Sequence, residues 1–467
     1  MSYSLSEIKN YYDNSVGNRQ KELANYYNGE QLPIDGRAPV SSAKAATHTN
    51  IHIDFFKDIT ELKVGYVGKS ITYTVSNDNE ILKEETERQL KMFSRINNMQ
   101  AMNSQSIRSS SISGVSHRLV YTEDGIFKIK NIEGWNVIYD YKESIFSPEK
   151  AYYYYETIDL VGTTTKHCDV YDKQFVTYYV DSATTTTQAS TKETVQINNG
   201  GTSYVKNGDP QLHNFNEVPL IPILNNDAMS GDCEKSTEVM DVYDEIISDS
   251  SAEVKAIRLA YLKVWGNLFT GEDADGDEID VNTWLKQTST MNFPLNEDGS
   301  PSGNAEFLEK NMNDTVIENI LNRLRSHIYE TSGSLDLKEI TASERVFSIK
   351  ASMIRLENNS AASELYMRAM LYKQTRLWAY WMNKYESIKV DDTDIDWDFR
   401  RNFPTDIESE SRTLAALSNT LTLEDSLVKL GWENAKELAK RKEGSDEDLL
   451  KDDIKRLQEK EDDNATN

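Results

Sequence analysis

The chain has 467 residues and a formal net charge of −26, which excludes general attraction to nucleic acid; any contact with a polyanion has to be local or deliberately weak. Hydrophobic residues make up 38% and aromatic residues 10%, too few apolar residues for one large core and too many aromatics for wholesale disorder. The length allows roughly two to four domains, read here as small cores completed by contacts between subunits.

Cys168 and Cys233 are far apart in sequence and make no disulfide framework, which points to a reducing compartment. The start carries no signal-peptide pattern and no apolar run approaches a membrane span. A soluble protein made inside the cell, with no membrane partner, is expected.

In chain order, Ser4–Asn28 reads as a surface helix anchored by Tyr11, Tyr12, Leu23, Tyr26 and Tyr27, followed by a loop over 29–49. The next helix carries Ile51, Phe55, Ile59, Leu62 and Tyr66 on one face and breaks at Gly68 into a strand, Ile71–Val75. Helices over Glu80–Asn97 and Ala101–Ser113 follow. From Val115 to Val195 the period switches to two, in HRLVYTED, FKIKNI, VIYDY, YYYYETI, CDVYDK, FVTYYV and TVQIN, which reads as a β-rich meander. ATTTTQAST and NNGGTS are turns, and HNFNEVPLIPILNN leads on to the central helices.

Ser236–Trp265 is read as one helix from Val239, Tyr243, Ile246, Val254, Ile257, Tyr261 and Val264, stopped at Gly266. The acidic loop GEDADGDEIDVNTWLKQ comes next. A second helix, Asn313–Thr331, has Val316, Ile317, Ile320, Leu321, Leu324 and Ile328 on one face. After the loop SGSLDLKEI, Thr341 and Glu344 fit a capping box, and no Pro or Gly interrupts the chain from there to Glu386. Such a helix is roughly 65 Å long, more than one compact domain needs. A bend is expected near Glu357–Ser363, where Asn358, Asn359, Ser360 and Ser363 compete for backbone groups. IKVDDTDIDWDFRRNFP reads as a strand pair, Glu408–Lys442 as short helices, and 443–467 as an acidic, disordered tail.

Candidate chemistry is sparse. Asp273, Asp275 and Asp277 sit at calcium-loop spacing, but Glu278 stands where the turn Gly belongs and Trp284 where a bidentate Glu belongs, so a solvated acidic loop is the better reading. Asp391, Asp392, Asp394, Asp396 and Asp398 raise a two-metal nuclease. The last three alternate with Ile395, Trp397 and Phe399, however, as on a half-exposed strand. His117, His167, His213 and His327 are isolated, without zinc spacing. No dinucleotide fingerprint, P-loop or nucleophile elbow occurs. The Met353, Met367, Met370, Trp378 and Trp381 stripe reads as packing. No enzyme, cofactor, catalytic residue or metal ligand is expected.

Several stretches, in order, resemble the portal proteins of tailed bacteriophages, in the branch of long non-contractile-tailed phages of Gram-positive hosts. NIHIDFFKDITELKVGYVGKSITY is similar to that family's Asn-led helix and Gly-rich turn through Gly65, Gly68, Lys69 and Tyr73, with Ser70 in place of the usual Pro. The block from Phe215 matches at Phe215, Val218, Pro219, Asn225, Asn226, Gly231, Asp232, Glu234, Tyr243, Asp244, Ser248 and Asp249. FRRNFPTD resembles the segment after the long helix. One departure stands before that helix, where ITASERVFS replaces a Gly/Ser-rich segment.

The resemblance implies an α+β, mainly helical portal fold. Residues 1–235 would form a β-rich wing, 236–265 and 313–331 two stem helices, 266–312 a clip and 332–341 a tunnel loop. The long helix, 342–386, would lead past wing strands (387–404) to a helical crown (405–442). It further implies a dodecameric ring at one capsid vertex of the virion, assembled in the host cytoplasm, that conducts double-stranded DNA. Its partners would be the terminase large subunit, the major capsid and scaffolding proteins, and the head–tail connector (adaptor). Leu335 and Lys338 of the tunnel loop, with Lys255 and Arg258 of the first stem helix, would meet DNA. Asp273, Asp275, Asp277, Trp284 and Phe293 of the clip would dock partners, with Phe307 as a further anchor. The alternatives are a capsid or connector protein that conducts no DNA, and a metal nuclease.

Overall fold

The computed structural model describes residues 3–30, 50–68, 71–181, 204–257, 261–266, 293–308, 314–339, 353–386 and 389–401, with Thr283 and Thr422 besides. The chain divides into two compact units, residues 1–344 with 348–401, and residues 345–347 with 402–467. The architecture below is that of the first unit.

Helix α1 (Leu5–Tyr12) starts on a capping box in which the Ser4 hydroxyl accepts from the Glu7 N–H and the Glu7 carboxylate accepts from the Ser4 N–H. A π-helical turn at Asp13–Gly17 leads into α2 (Asn18–Asn28). Helix α3 (Phe55–Val67) buries Phe55, Ile59 and Tyr66 of the expected face, together with Phe56, Val64 and Val67, while Leu62 is only half-buried. Strand β1 (Ile71–Val75) comes next. Helix α4 (Glu80–Ile96) is capped by the Asn79 side chain, which accepts from the N–H groups of Ile81 and Leu82, and α5 (Met99–Ser113) follows.

The meander gives β2 (Val115–Glu123), β3 (Ile126–Ile132), β4 (Val137–Asp140), β5 (Lys150–Ile158), β6 (Thr164–Tyr171), β7 (Phe175–Asp181), β8 (Tyr204–Lys206), β9 (Gln211–Leu212) and β10 (Leu220–Leu224). These form two antiparallel sheets, β10-β2-β3 and β4-β5-β6-β7-β8, with β9 also on β7. Pro222 is tolerated within β10 because that strand lies at a sheet edge, paired only with β2. A core of Leu119, Ile132, Val137, Tyr153, Tyr171, Val176 and Leu220 joins the two sheets.

The first stem segment departs from expectation. Helix α6 runs Thr237–Ile257, and Tyr261–Gly266 is a strand, β11, paired with β12 (Gly303–Leu308). Tyr261 and Val264 fit a helical stripe, yet YLKVW is equally an alternating run of β-formers, and a partner strand some forty residues on supplies the ladder. Gly266 therefore ends a strand, opposite Gly303, and stops no helix.

Helix α7 runs Asp314–Thr331 and α8 Ile354–Trp381, followed by a π-helical turn at Met382–Glu386. The capping box at Thr341 and Glu344, the segment TVQIN, the crown and the tail lie outside the described residues. Helix α8 is continuous through Glu357–Ser363, where a bend is expected, and irregular winding falls at its C-terminal end. The expected strand pair near Pro404 is also corrected. Among the described residues of that stretch one strand forms, β13 (Ile395–Phe399), and its partner is the distant β1, with Tyr73 opposite Trp397. Chain proximity does not decide strand pairing; the buried Ile395 and Trp397 do, because β1 offers them a matching face.

Candidate functional site

The segments of the family resemblance converge on one junction. Lys63 falls on the Phe55–Ile59–Val67 stripe of α3 and is carried into the interior with its side chain 1% exposed. Its ammonium donates to Asn225 Oδ1 at 2.8 Å and to both Asp232 oxygens at 3.1 and 2.9 Å. Asp232 also accepts from the Asn225 amide at 2.8 Å, the Asn359 amide at 3.1 Å and the Ser111 hydroxyl. Ser363 donates to Asn225, and the Asn359 amide donates to the Ser332 carbonyl. One buried ion pair thus ties α3, α5, the loop entering α6, the loop leaving α7, and α8. Asn359 and Ser363 of α8 spend their side chains on these tertiary bonds and so do not compete for the helix backbone.

Two glycines permit the approach. A Cβ on Gly114 (φ 83°) would lie 2.1 Å from the Met229 carbonyl oxygen, and one on Gly231 would lie 2.3 Å from that of Ile112. The backbones touch, with the Asp232 N–H donating to Ser111 O at 2.9 Å and the Asn225 N–H to Gly114 O at 3.0 Å.

The strap before α3 lies across α6. The N–H groups of Ile51 and Ile53 donate to the Ser248 hydroxyl (3.0 Å) and to Asp244 Oδ1 (3.1 Å), side chains one turn apart on α6. His52 stands 3.8 Å from the other Asp244 oxygen. Asp244 is fully buried, and burial pushes its carboxyl up to about 7. Below it, Leu23, Tyr26, Phe55, Tyr243, Ile328 and Tyr329 form the core that joins α6 and α7 to the N-terminal helices.

The loop after α7 is held more firmly than its sequence suggests. Ser332, Ser334, Leu335 and Asp336 are buried. Arg325 makes two hydrogen bonds to the Asp336 carboxylate and lies over the rings of Phe55 and Tyr329 at 5.5 and 5.2 Å. Burial pushes the Asp336 carboxyl up, but the hydrogen bonds and charge of Arg325 outweigh it and hold the group below its usual value. Leu335, expected at a channel surface, is 7% exposed and packs inside its own subunit. Between Ser332 and Lys338, Leu337 and Lys338, on a short 3-10 turn, are the exposed residues.

Among the other expected residues, Lys255 is placed near the end of α6, while Arg258, Asp273, Asp275, Asp277 and Trp284 lie outside the described residues. Phe293 is half-buried against Gly303, where a Cβ would meet its ring at 2.5 Å, so it braces the β11–β12 ribbon. On β13, Asp396 and Asp398 face outward while Ile395 and Trp397 are buried, as the strand reading requires. His117 is a core histidine: Nε2–H donates to Gly134 O and Nδ1 accepts from Tyr139, and burial pulls its pKa down to about 4. Among the described residues no cluster of three or more His, Cys, Asp or Glu is arranged to hold a metal ion, and no helix is long and apolar enough to cross a membrane.

Sequence reasoning missed Lys63, although a lysine on an apolar stripe was a signal for it. It also missed Arg118, fully buried at the centre of β2. All five guanidinium N–H groups are used, on Asn131, Asn103, Gln374, Ser106 and the Met102 carbonyl at 2.8–3.1 Å. No sequence signal marked it, because β2 is buried along most of its length and does not alternate.

The chain matches the family described as phage portal protein, SPP1 Gp6-like, over residues 6–466. No curated protein matches it. Among solved structures it is similar to one titled "Neck of empty GTA particle computed with C6 symmetry", at 10% identity and a TM-score of 0.43, over 85% of this chain and 95% of that one. Of the residues that carried the resemblance, Asn225, Gly231 and Asp232 lie in the junction, and Asp244 and Ser248 hold the strap. The chain belongs to the SPP1 Gp6-like family of phage portal proteins, a structural component of the virion.

Proposed function

We propose that this chain is the subunit of a portal ring, dodecameric as the resemblance implies, at one capsid vertex. Double-stranded DNA enters through the ring, driven by the terminase motor, and leaves through it at ejection; the clip docks the motor and then the head–tail connector. The observation that carries this reading is the family match along nearly the whole chain. Two physical features support it. On the stem helices, Val242, Val316 and Ile320 are 43%, 49% and 41% exposed, apolar surface of the kind neighbouring subunits would cover. A net charge of −26 suits a conduit through which a polyanion must slide, since each lasting phosphate contact would add salt-sensitive affinity. Lys338, at the exposed turn after α7, would touch phosphates in passing, with Lys255 of α6 as a second cation.

Electron microscopy of the purified protein tests the reading. Rings with an open central pore are expected; a monomer or a closed, poreless assembly at high concentration overturns it. Replacing the clip residues Asp275 and Asp277 by Lys is expected to impair motor or connector docking while rings persist.

A further inference from the structure

The buried ion pair of the junction lies against a third reactive group, the side-chain amide of Asn225. Lys63, Asp232 and Asn225 touch one another in all three combinations. The Lys63 ammonium meets Asn225 Oδ1 at 2.8 Å and the two Asp232 oxygens at 3.1 and 2.9 Å, and Asn225 Nδ2 donates to Asp232 Oδ1 at 2.8 Å. The carboxylate therefore bridges two nitrogens, that of the amine and that of the amide. Neutralising a buried lysine needs only the carboxylate. An amide held between the two charges by both of its ends is an arrangement for chemistry as well.

Each group stands where amide exchange requires it. Lys63 becomes an amine nucleophile once it gives a proton to Asp232. Burial favours that transfer, because a neutral amine and a neutral acid cost less to keep from water than two charges. The electrophile is Asn225 Cγ. Its oxygen also accepts from the Ser363 hydroxyl at 2.8 Å, a donor that stays in place when Lys63 turns from donor to nucleophile. Its nitrogen is held by Ser230 O at 3.0 Å as well, so the plane of the amide is fixed. From 2.8 Å off the carbonyl oxygen, Nζ needs only a small shift to reach the roughly 3–3.5 Å approach to the carbon at which attack begins. Such placement is equivalent to an effective concentration on the order of 10⁵–10⁸ M, which is what the aminolysis of an ordinary amide lacks. Asn359 faces Lys63 too, but its oxygen stands at 3.5 Å, so Asn225 is the nearer electrophile.

We infer that Lys63 and Asn225 join through an intramolecular isopeptide bond, with Asp232 as the proton carrier. The Nζ lone pair attacks Cγ, the carbonyl pair moves onto Oδ1 beside the Ser363 hydroxyl, and its return breaks the Cγ–Nδ2 bond. Of the two protons that Nζ gives up, one passes through Asp232 to Nδ2, which leaves as ammonia. The other stays on Asp232. No oxidant, cofactor or further reactant enters. The ion pair is the starting state, and the reaction follows folding, since distant parts of the chain supply the three groups. The bond ties α3 to the loop entering α6 across 162 residues of chain. It asks only that the junction be folded, and it stands or falls independently of the ring reading.

Intact-mass spectrometry of the full chain, kept folded in neutral buffer over several days, tests the inference. The mass is expected to fall below that of the sequence by one ammonia, in a fraction that grows with time. Digestion after denaturation is expected to give a branched peptide in which Lys63 resists trypsin and is joined to Asn225. Lys63→Arg keeps a cation beside Asp232 but cannot form the bond, and Asp232→Asn cannot carry the proton. Both are expected to keep the full mass of their sequences. An unaltered chain that holds its full mass, while its far-UV spectrum and cooperative unfolding show it folded, overturns the inference. An ammonia loss that persists in either variant overturns it as well, as does a branch to Asn359.

Discussion

Replacing Lys63 by Met is the sharpest test of the junction. The substitution keeps most of the side-chain volume on the α3 stripe and removes only the ammonium, leaving the Asp232 carboxylate buried without its cation. Breaking a buried pair from one side costs about 3–5 kcal/mol. Three neutral donors remain on Asp232, from Asn225, Asn359 and Ser111, so the loss is placed near the lower end, about 3 kcal/mol. Asp232→Asn is expected to cost a similar amount, because the ammonium then keeps only amide oxygens. The double variant should cost less than the sum of the two by about 2 kcal/mol, the signature of groups in one network. Urea unfolding followed by tryptophan fluorescence measures all three, at two protein concentrations so that the contribution of assembly separates from that of the subunit. A cost below about 1 kcal/mol for Lys63→Met, or single effects that simply add, refutes the reasoning.

Asp244→Asn concerns the strap on α6. A carboxyl raised from 3.8 to about 7 in the folded state makes that state bind more protons than the unfolded chain, so its contribution to stability falls as pH rises from about 4 to 7. The Asn variant keeps an acceptor for Ile53 and is expected to be more stable than the parent at pH 8, by on the order of 2–4 kcal/mol, with no advantage at pH 4; equal gain at both values counts against the assignment. Gly114→Ala should cost on the order of 2–5 kcal/mol, from the left-handed backbone and the clash with Met229, in the same urea assay; a neutral effect is incompatible with the close backbone contact. Leu337→Ser with Lys338→Ala should leave the unfolding midpoint within about 0.5 kcal/mol, as at ordinary surface sites, yet reduce DNA retained in particles. Normal retention removes the turn from the channel. Arg325→Met, by contrast, strips the buried Asp336 of its partner and should destabilise by about 3 kcal/mol.

Local physics made much of this protein legible from its sequence. The helix carrying Phe55, Ile59 and Tyr66, the β-rich run from Val115 onward, and the alternation Ile395–Asp396–Trp397–Asp398 are each written within a few residues, and each appears as read. One residue of the family motifs has a local steric reason, since a Cβ at Gly231 would meet the Ile112 carbonyl. Tertiary structure decided whatever depended on a distant partner. Tyr261–Gly266 had the pattern of a helix and of a strand, and β12 chose between them. Strand β13 left its own neighbourhood to pair with β1. The loop from Ser332 to Asp336 reads as a mobile connector until Arg325 and Asn359 are seen holding it. A lysine or arginine carries the same charge in solvent or in a core. What sends Lys63 and Arg118 inside is the set of carboxylate, amide and hydroxyl oxygens that helices and strands from several parts of the chain bring to them, and no short window of sequence contains that set.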